Sequence, residues 1–298
     1  MRIELGSRKI IVAGLAGLLL ALSVGCSMPA PPREREGRGG PREGGTQERD
    51  GRQGREREIG EGPGGRRQSL ALNPKQELET GKRAYAEVMQ EYGKRALPKN
   101  SPEVQRVMGI IERLAKAAAI EPLQREINLR IRGYRFEWEV SVVRDDQVNA
   151  FCLPAGKMVV FTGILKLAGK DDDFVATVLS HEMAHALAHH ASERVARAQT
   201  HQNILRSLSY DRQQEAEADH IGVFLMAFAG YDPRKAVAFW ERMAQVHGGK
   251  AGKPEFLSDH PSDANRVRAL KDWAPMAIKA KAAYRPKRET SPGKGEDW

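Results

Sequence analysis

His181-Glu182-Met183-Ala184-His185 lies in a run opening at Asp171 that reads as a helix. Asp171, Asp172 and Asp173 offer an N-cap and first-turn acids, and Phe174, Val175, Val178 and Leu179 give an apolar stripe. On a helix, positions i and i+4 share a face, so both imidazoles project to the same side. Two nitrogen donors one turn apart suit a single zinc ion, and the glutamate between them can take a proton from a metal-bound water. The same five residues also occur in ordinary His- and Ala-rich surface helices, so the helix context and a third ligand must decide.

The third ligand has to come from elsewhere in the chain. The extended metzincin pattern needs glycine three residues after the second histidine and histidine three further on, where this chain has Ala188 and Ala191. His189 shares the face of His181 and His185, yet on a straight helix it would lie about 12 Å from His181 along the axis, against Zn–N bonds of about 2.1 Å. Downstream, Arg212 to Gly222 reads as a second helix with Glu215 and Asp219 again spaced i, i+4. Packed beside the first helix, it can offer Glu215 to the metal while Asp219 orients a ligand imidazole. Alone, Glu-Ala-Glu-Ala-Asp is more often a solvated helix face. Glu217 is the alternative carboxylate, although it projects about 200° around the helix from Glu215.

Four segments together resemble the HtpX and CAAX prenyl protease family of zinc endopeptidases, a gluzincin group. They are Val148 to Lys157, the zinc helix, Glu215 to Pro233, and Phe256 to Asp263 with Arg266. The pattern is most similar to the branches of the beta-barrel assembly-enhancing protease and of the mitochondrial inner-membrane protease with overlapping activity. The resemblance covers roughly residues 75 to 275. It implies Zn2+, one per chain, held by His181, His185 and Glu215, with Asp219 behind a ligand and Glu182 as general base. It places His260 near the metal cleft, as oxyanion stabiliser or reversible extra ligand, with Arg266 bracing it; Tyr210 is the rival oxyanion donor. It also makes Asn149, Ala150 and Phe151 the favoured substrate-pairing edge. Two departures stand out. Only 30 positions separate His185 from Glu215, a polar stretch where relatives insert a longer segment, and Tyr210-Asp211-Arg212 replaces the usual Ser-Arg entry.

The expected fold is α+β, a mostly helical gluzincin core with a small β-sheet whose edge strand lies beside the zinc helix. Trp138–Val143, Val148–Phe151 and Lys157–Thr162 read as strands, the last after a Pro154-Ala155-Gly156 turn. Glu77–Tyr92, Pro102–Ala119, Pro233–Val246 and Ala264–Ala282 read as helices, the second opening at a Ser101-Pro102 cap. His201, His220 and His247 read as ordinary surface or core histidines, and Cys152 as a small, partly buried apolar residue.

Arg2, Arg8 and Lys9 precede an apolar stretch from Ile10 to Val24 that ends in Gly25-Cys26-Ser27, the pattern of a secretory signal. Leu22 to Cys26 resembles a bacterial lipobox with Ser23 in place of the leucine, which predicts lipidation of Cys26 and the periplasmic face of the outer membrane; soluble periplasmic export is the alternative. Residues 1–26 are thus expected to be a signal peptide, 27–72 a disordered Pro/Gly/Arg/Glu-rich tether, 73–282 the catalytic domain and 283–298 a basic tail. The net charge of +9 suits an anionic lipid surface or acidic partners. Acids interleave with the arginines of the tether, so no sustained positive field invites nucleic acid. The expected function is a zinc metalloendopeptidase of the bacterial cell envelope acting on polypeptides, misfolded or unassembled envelope proteins. The alternative is a tethered chaperone-like binding lipoprotein using the same cleft.

Overall fold

The computed structural model describes residues 58–200, 212–245, 255–260 and 264–285. Its centre is the helix that the capping acids predict. Asp171 accepts a hydrogen bond from the Phe174 N–H (3.1 Å), and α5 follows over Asp172–Leu187. Every residue from Phe174 to Leu187 is buried, including Ser180, His181, Glu182 and His185. A helix buried on all sides must be wrapped by other elements, and here it is.

Before it in the chain come α1 (Pro74–Tyr92), α2 (Pro102–Ala118), α3 (Glu121–Glu126) and α4 (Thr162–Ala168). After it come α6 (His190–Thr200), α7 (Arg212–Ala229), α8 (Lys235–Gln245), α9 (Glu255–Asp259) and α10 (Ala264–Ala283). Helices α2, α7 and α8 pack directly on α5, and α10 packs on α7. Local chemistry sets the entries. Asn73 and Gln76 exchange bonds in a capping box (2.9 and 3.0 Å) before Pro74, and Ser101 caps α2 before Pro102. One continuous apolar core, including Ile110, Leu114, Val178, Leu179, Phe224, Phe239, Trp240 and Phe256, joins these helices to the sheet.

The sheet has three strands, β3 (Glu139–Val143), β4 (Ala150–Leu153) and β5 (Lys157–Phe161), in the order β3-β5-β4. β4 and β5 form the expected hairpin, with Phe151 opposite Val159, and β3 runs parallel to β5. The outer edge of β3 is covered, since the Leu97 N–H donates to the Val142 carbonyl. β4 is the other edge and lies against α5.

One boundary differs from expectation. The tether predicted to run to residue 72 gives way by Glu58 to a hairpin, β1 (Glu58–Glu61) paired with β2 (Arg67–Leu70). Its polar composition conceals buried Gln68 and Leu70, and Gly64 and Gly65 turn the chain at positive φ. Residues 1–57, with the signal-like segment and Cys26, lie outside the described residues, as do Tyr210, His201, His247 and the tail from 286.

Gly81 marks where α1 meets the Pro154–Gly156 turn between β4 and β5. A Cβ there would stand 2.0 Å from the Pro154 carbonyl oxygen. Helix propensity favours alanine by about 1 kcal/mol, but overpacking against backbone costs about 1–3 kcal/mol or more. Gly81→Ala is therefore expected to destabilise the protein in urea unfolding; a gain in stability would show that α1 shifts freely.

Candidate metal centre

Four buried side chains from three parts of the chain converge. His181 and His185 come from α5, Glu215 from the first turn of α7, and His260 from just beyond α9. Their donor atoms lie within 4.8 Å of one another. His181 Nε2 is 3.2 Å from His185 Nε2 and 3.4 Å from Glu215 Oε2, and His185 Nε2 is 3.5 Å from Glu215 Oε1. His260 Nδ1 stands 3.0 Å from Glu215 Oε1 and 3.2 Å from His181 Nε2. Tetrahedral ligands on bonds of about 2.0–2.1 Å are separated by about 3.3–3.4 Å, so the spacing and the N/O donor set fit a single Zn2+.

The remaining nitrogen of each α5 histidine faces a partner, as ligand imidazoles require. His181 Nδ1 is 3.1 Å from Asp219 Oδ1, one turn along α7 from Glu215. Arg266 of α10 donates to both Asp219 oxygens (2.7 and 2.8 Å), reaches Glu215 Oε2 at 2.9 Å, and lies over the Trp240 ring. Arg266, expected to brace His260, reaches Asp219 and Glu215, and Glu215 Oε1 in turn lies 3.0 Å from His260 Nδ1.

Electrostatics follow the geometry. Burial opposes the charged form of Glu215 and Asp219, yet His260, His181 and Arg266 hold Glu215 well below the usual carboxylate range, and Arg266 and His181 lower Asp219. Burial alone would lower His181, but Asp219 and Glu215 outweigh it and lift the ring to about 9. Burial takes His185 well below the ordinary histidine value, leaving the neutral form that ligates metal.

Glu182 occupies the other side of this cluster. Its Oε2 accepts the Cys152 N–H (3.1 Å) and its Oε1 lies 3.2 Å from His260 Nε2. Burial raises its pKa, which suits a proton acceptor. The contact with Cys152 brings the edge strand to the site. The Asn149 carbonyl already accepts the Phe161 N–H, so antiparallel alternation turns Phe151 toward β5 and leaves Ala150 and Cys152 facing the outer edge. Of the predicted edge trio, only Ala150 therefore presents its backbone outward, and Cys152 joins it. The Cys152 thiol is pushed up by burial and by Glu182, so it stays protonated.

The other histidines and Glu217 are sorted by a chain reversal. α5 ends at Leu187 with Ala188 as its C-cap, and His189 takes φ +54°. His189 then packs at a tilt on the Tyr134 ring, faces Glu77 at 3.0 Å and donates from Nε2 to the Arg130 carbonyl (2.8 Å), away from the metal cluster. His220, predicted as ordinary, sits between Phe224 and Trp273. His190 returns to place Nδ1 2.8 Å from His185 Nδ1 and Nε2 3.1 Å from Glu217 Oε2. Neither role of His190 nor the use of Glu217 was visible in the sequence, since both depend on this reversal.

Beside them, Glu193 of α6 bonds Arg66 and accepts from Gln214 Nε2 (2.9 Å). Burial raises its pKa, but Arg66 and Gln214 outweigh burial and bring it from 4.5 down to about 2. A folded pKa below the unfolded one gives stability that is present above about pH 4.5 and lost as pH falls toward 2. Glu193→Gln is expected to flatten this acid limb in urea unfolding between about pH 5 and pH 2. An unchanged limb would contradict the ion pair.

Residues 102–208 and 200–274 match Peptidase family M48. The chain is 36% identical over 236 residues to "Mitochondrial metalloendopeptidase OMA1" of Schizosaccharomyces pombe, covering 72% of this chain and 64% of that protein. It is 41% identical over 152 residues to the Arabidopsis thaliana protein of the same name, covering 45% of this chain and 31% of the relative. Likeness to the "Beta-barrel assembly-enhancing protease" of Yersinia pestis is 22% over 179 residues, 50% of this chain and 37% of that one. The chain thus spans less than two thirds of the length of each of these relatives.

Proposed function

The chain belongs to peptidase family M48, and on that footing we propose that it is a zinc-dependent metalloendopeptidase. The observation that carries this reading is the convergence of His181, His185 and Glu215 beside Glu182 and an outward-facing strand edge. His181, His185 and Glu215 would hold the metal, with Asp219 fixing the His181 ring. Bound there, zinc would supply a Lewis acid for the scissile carbonyl and a water of lowered pKa. Glu182, the buried carboxylate beside the cluster, would accept a proton from the attacking water and return it to the leaving amine. The outward carbonyls of Ala150 and Cys152 are offered to an extended polypeptide, while their N–H groups donate here to Asn149 Oδ1 (2.8 Å) and Glu182 Oε2 (3.1 Å); pairing through backbone gives affinity with little sequence demand. His260, with Nε2 toward Glu182 and Nδ1 toward Glu215, steadies the developing oxyanion or serves as an extra ligand.

We assign the substrates to misfolded or unassembled proteins of the bacterial cell envelope. The signal-like Arg2 to Cys26 segment supports export. No helix among the described residues is long and apolar enough to cross a membrane; attachment is assigned to a lipid anchor at Cys26. Cys26→Ala is expected to release the protein from the membrane fraction, or to block its processing, with cleavage of a soluble substrate retained; wild type recovered unlipidated and soluble would contradict the anchor.

Incubation with unfolded casein tests the activity. New N-termini, abolished by a chelator and restored by zinc, are expected. Suppressed aggregation without new termini would favour the chaperone-like alternative.

A further inference from the structure

The two α5 histidines are held in different ways, and the difference points to the N-terminal hairpin. His181 meets its carboxylate, Asp219, directly, and Arg266 clamps that carboxylate. Among the described residues, His185 Nδ1 faces another imidazole. With His185 Nε2 turned to the metal cluster, its Nδ1 carries the proton and donates to His190 Nδ1 (2.8 Å). His190 then carries its own proton on Nε2, donating to Glu217 Oε2 (3.1 Å). Glu217 is clamped in turn by Arg66, through Nε to Oε1 and Nη2 to Oε2 (2.9 Å). Each ligand histidine therefore ends on a carboxylate held by an arginine. Arg266 comes from the C-terminal helix and Arg66 from the turn between β1 and β2.

We propose that Arg66 is a positioning residue for His185, acting through Glu217 and His190, so that the N-terminal hairpin is a working part of the metal centre. The same guanidinium donates to both oxygens of Glu193 (2.6 and 2.7 Å). Glu193 lies on α6 and Glu217 on α7, so Arg66 ties together the two helices that residues 201–211 connect. Its Nη2 is shared between the two carboxylates, so its charge offsets their mutual repulsion.

The hairpin is built to deliver this side chain. Gln68, fully buried, donates from Nε2 to the Ala188 carbonyl (2.7 Å), where α5 ends. The Leu72 N–H donates to Ser192 Oγ (2.9 Å), and Asn128 Nδ2 donates to the Gly62 carbonyl (2.6 Å). These bonds fix the hairpin to α6 on one side and to the segment after α3 on the other.

The inference rests on the zinc reading, and the experiment separates the two. Zinc is competed from the full-length protein with a colorimetric chelator, for wild type, Arg66→Met, Glu217→Gln, the double variant, His190→Leu and His190→Gln. Outer partners of metal ligands are typically worth about 10–100-fold in affinity. Arg66→Met and Glu217→Gln should each weaken zinc binding by about 10-fold or more, and the double variant should be no worse than the weaker single, because both act along one chain of contacts. His190→Leu should weaken binding similarly, and His190→Gln, which keeps an acceptor and a donor, should recover part of it. If Arg66→Met does not fold, the His190 pair decides. Unchanged zinc affinity with only a lowered melting temperature would overturn the proposal, as would fully additive losses. A wild type that binds no zinc would instead overturn the metal reading itself.

Discussion

Glu182→Gln is expected to lose about 10²–10⁴-fold of peptide cleavage, the usual worth of a positioned general base, while keeping its zinc. The substitution preserves shape and can still accept the Cys152 N–H, so fold and edge strand should persist. It removes only the ability to take a proton. Glu182 does not belong to the converging donor set, and that is why the metal should remain. Steady-state cleavage of a quenched peptide alongside metal analysis measures both quantities. Cleavage near the wild-type rate would move the base elsewhere, and His260, 3.2 Å from the Glu182 carboxylate, would be the first candidate.

Glu215→Ala should cost more zinc affinity than any outer partner, beyond the roughly 100-fold upper end for such groups, because it deletes a donor. It also leaves Arg266 buried with Asp219 as the remaining one of the two carboxylates it bridges here. Glu217→Ala should show the smaller loss, since Glu217 reaches the cluster only through His190. Chelator competition ranks the two variants. Full retention in Glu215→Ala with loss in Glu217→Ala would show that the wrong carboxylate of the α7 pair has been assigned to the metal.

Legibility followed the range of the interactions. The α5 cap, the shared face of His181 and His185, and the i, i+4 pair Glu215 and Asp219 are all set within one or two helical turns, and each was readable from spacing. The three strands were readable from β-branched runs. The outward parity of Ala150 and Cys152 was not, because a shift of one residue exchanges the two edges and only the pairing of Asn149 with Phe161 fixes the register. The hairpin of residues 58–70 was mistaken for tether because its stability comes from Arg66, Gln68 and their distant partners rather than from an apolar pattern. The return of His190 to His185 could not be read from spacing. One left-handed residue, His189, redirects the chain, and no periodicity announces it.

The most direct test of the account is a zinc titration of metal-free protein, followed by peptide cleavage in the same samples. One equivalent of zinc per chain should restore full activity, with a sharp break at that ratio, in wild type and not in Glu182→Gln. Full cleavage without metal, or a rise that continues to a second equivalent, would contradict a single zinc held by His181, His185 and Glu215.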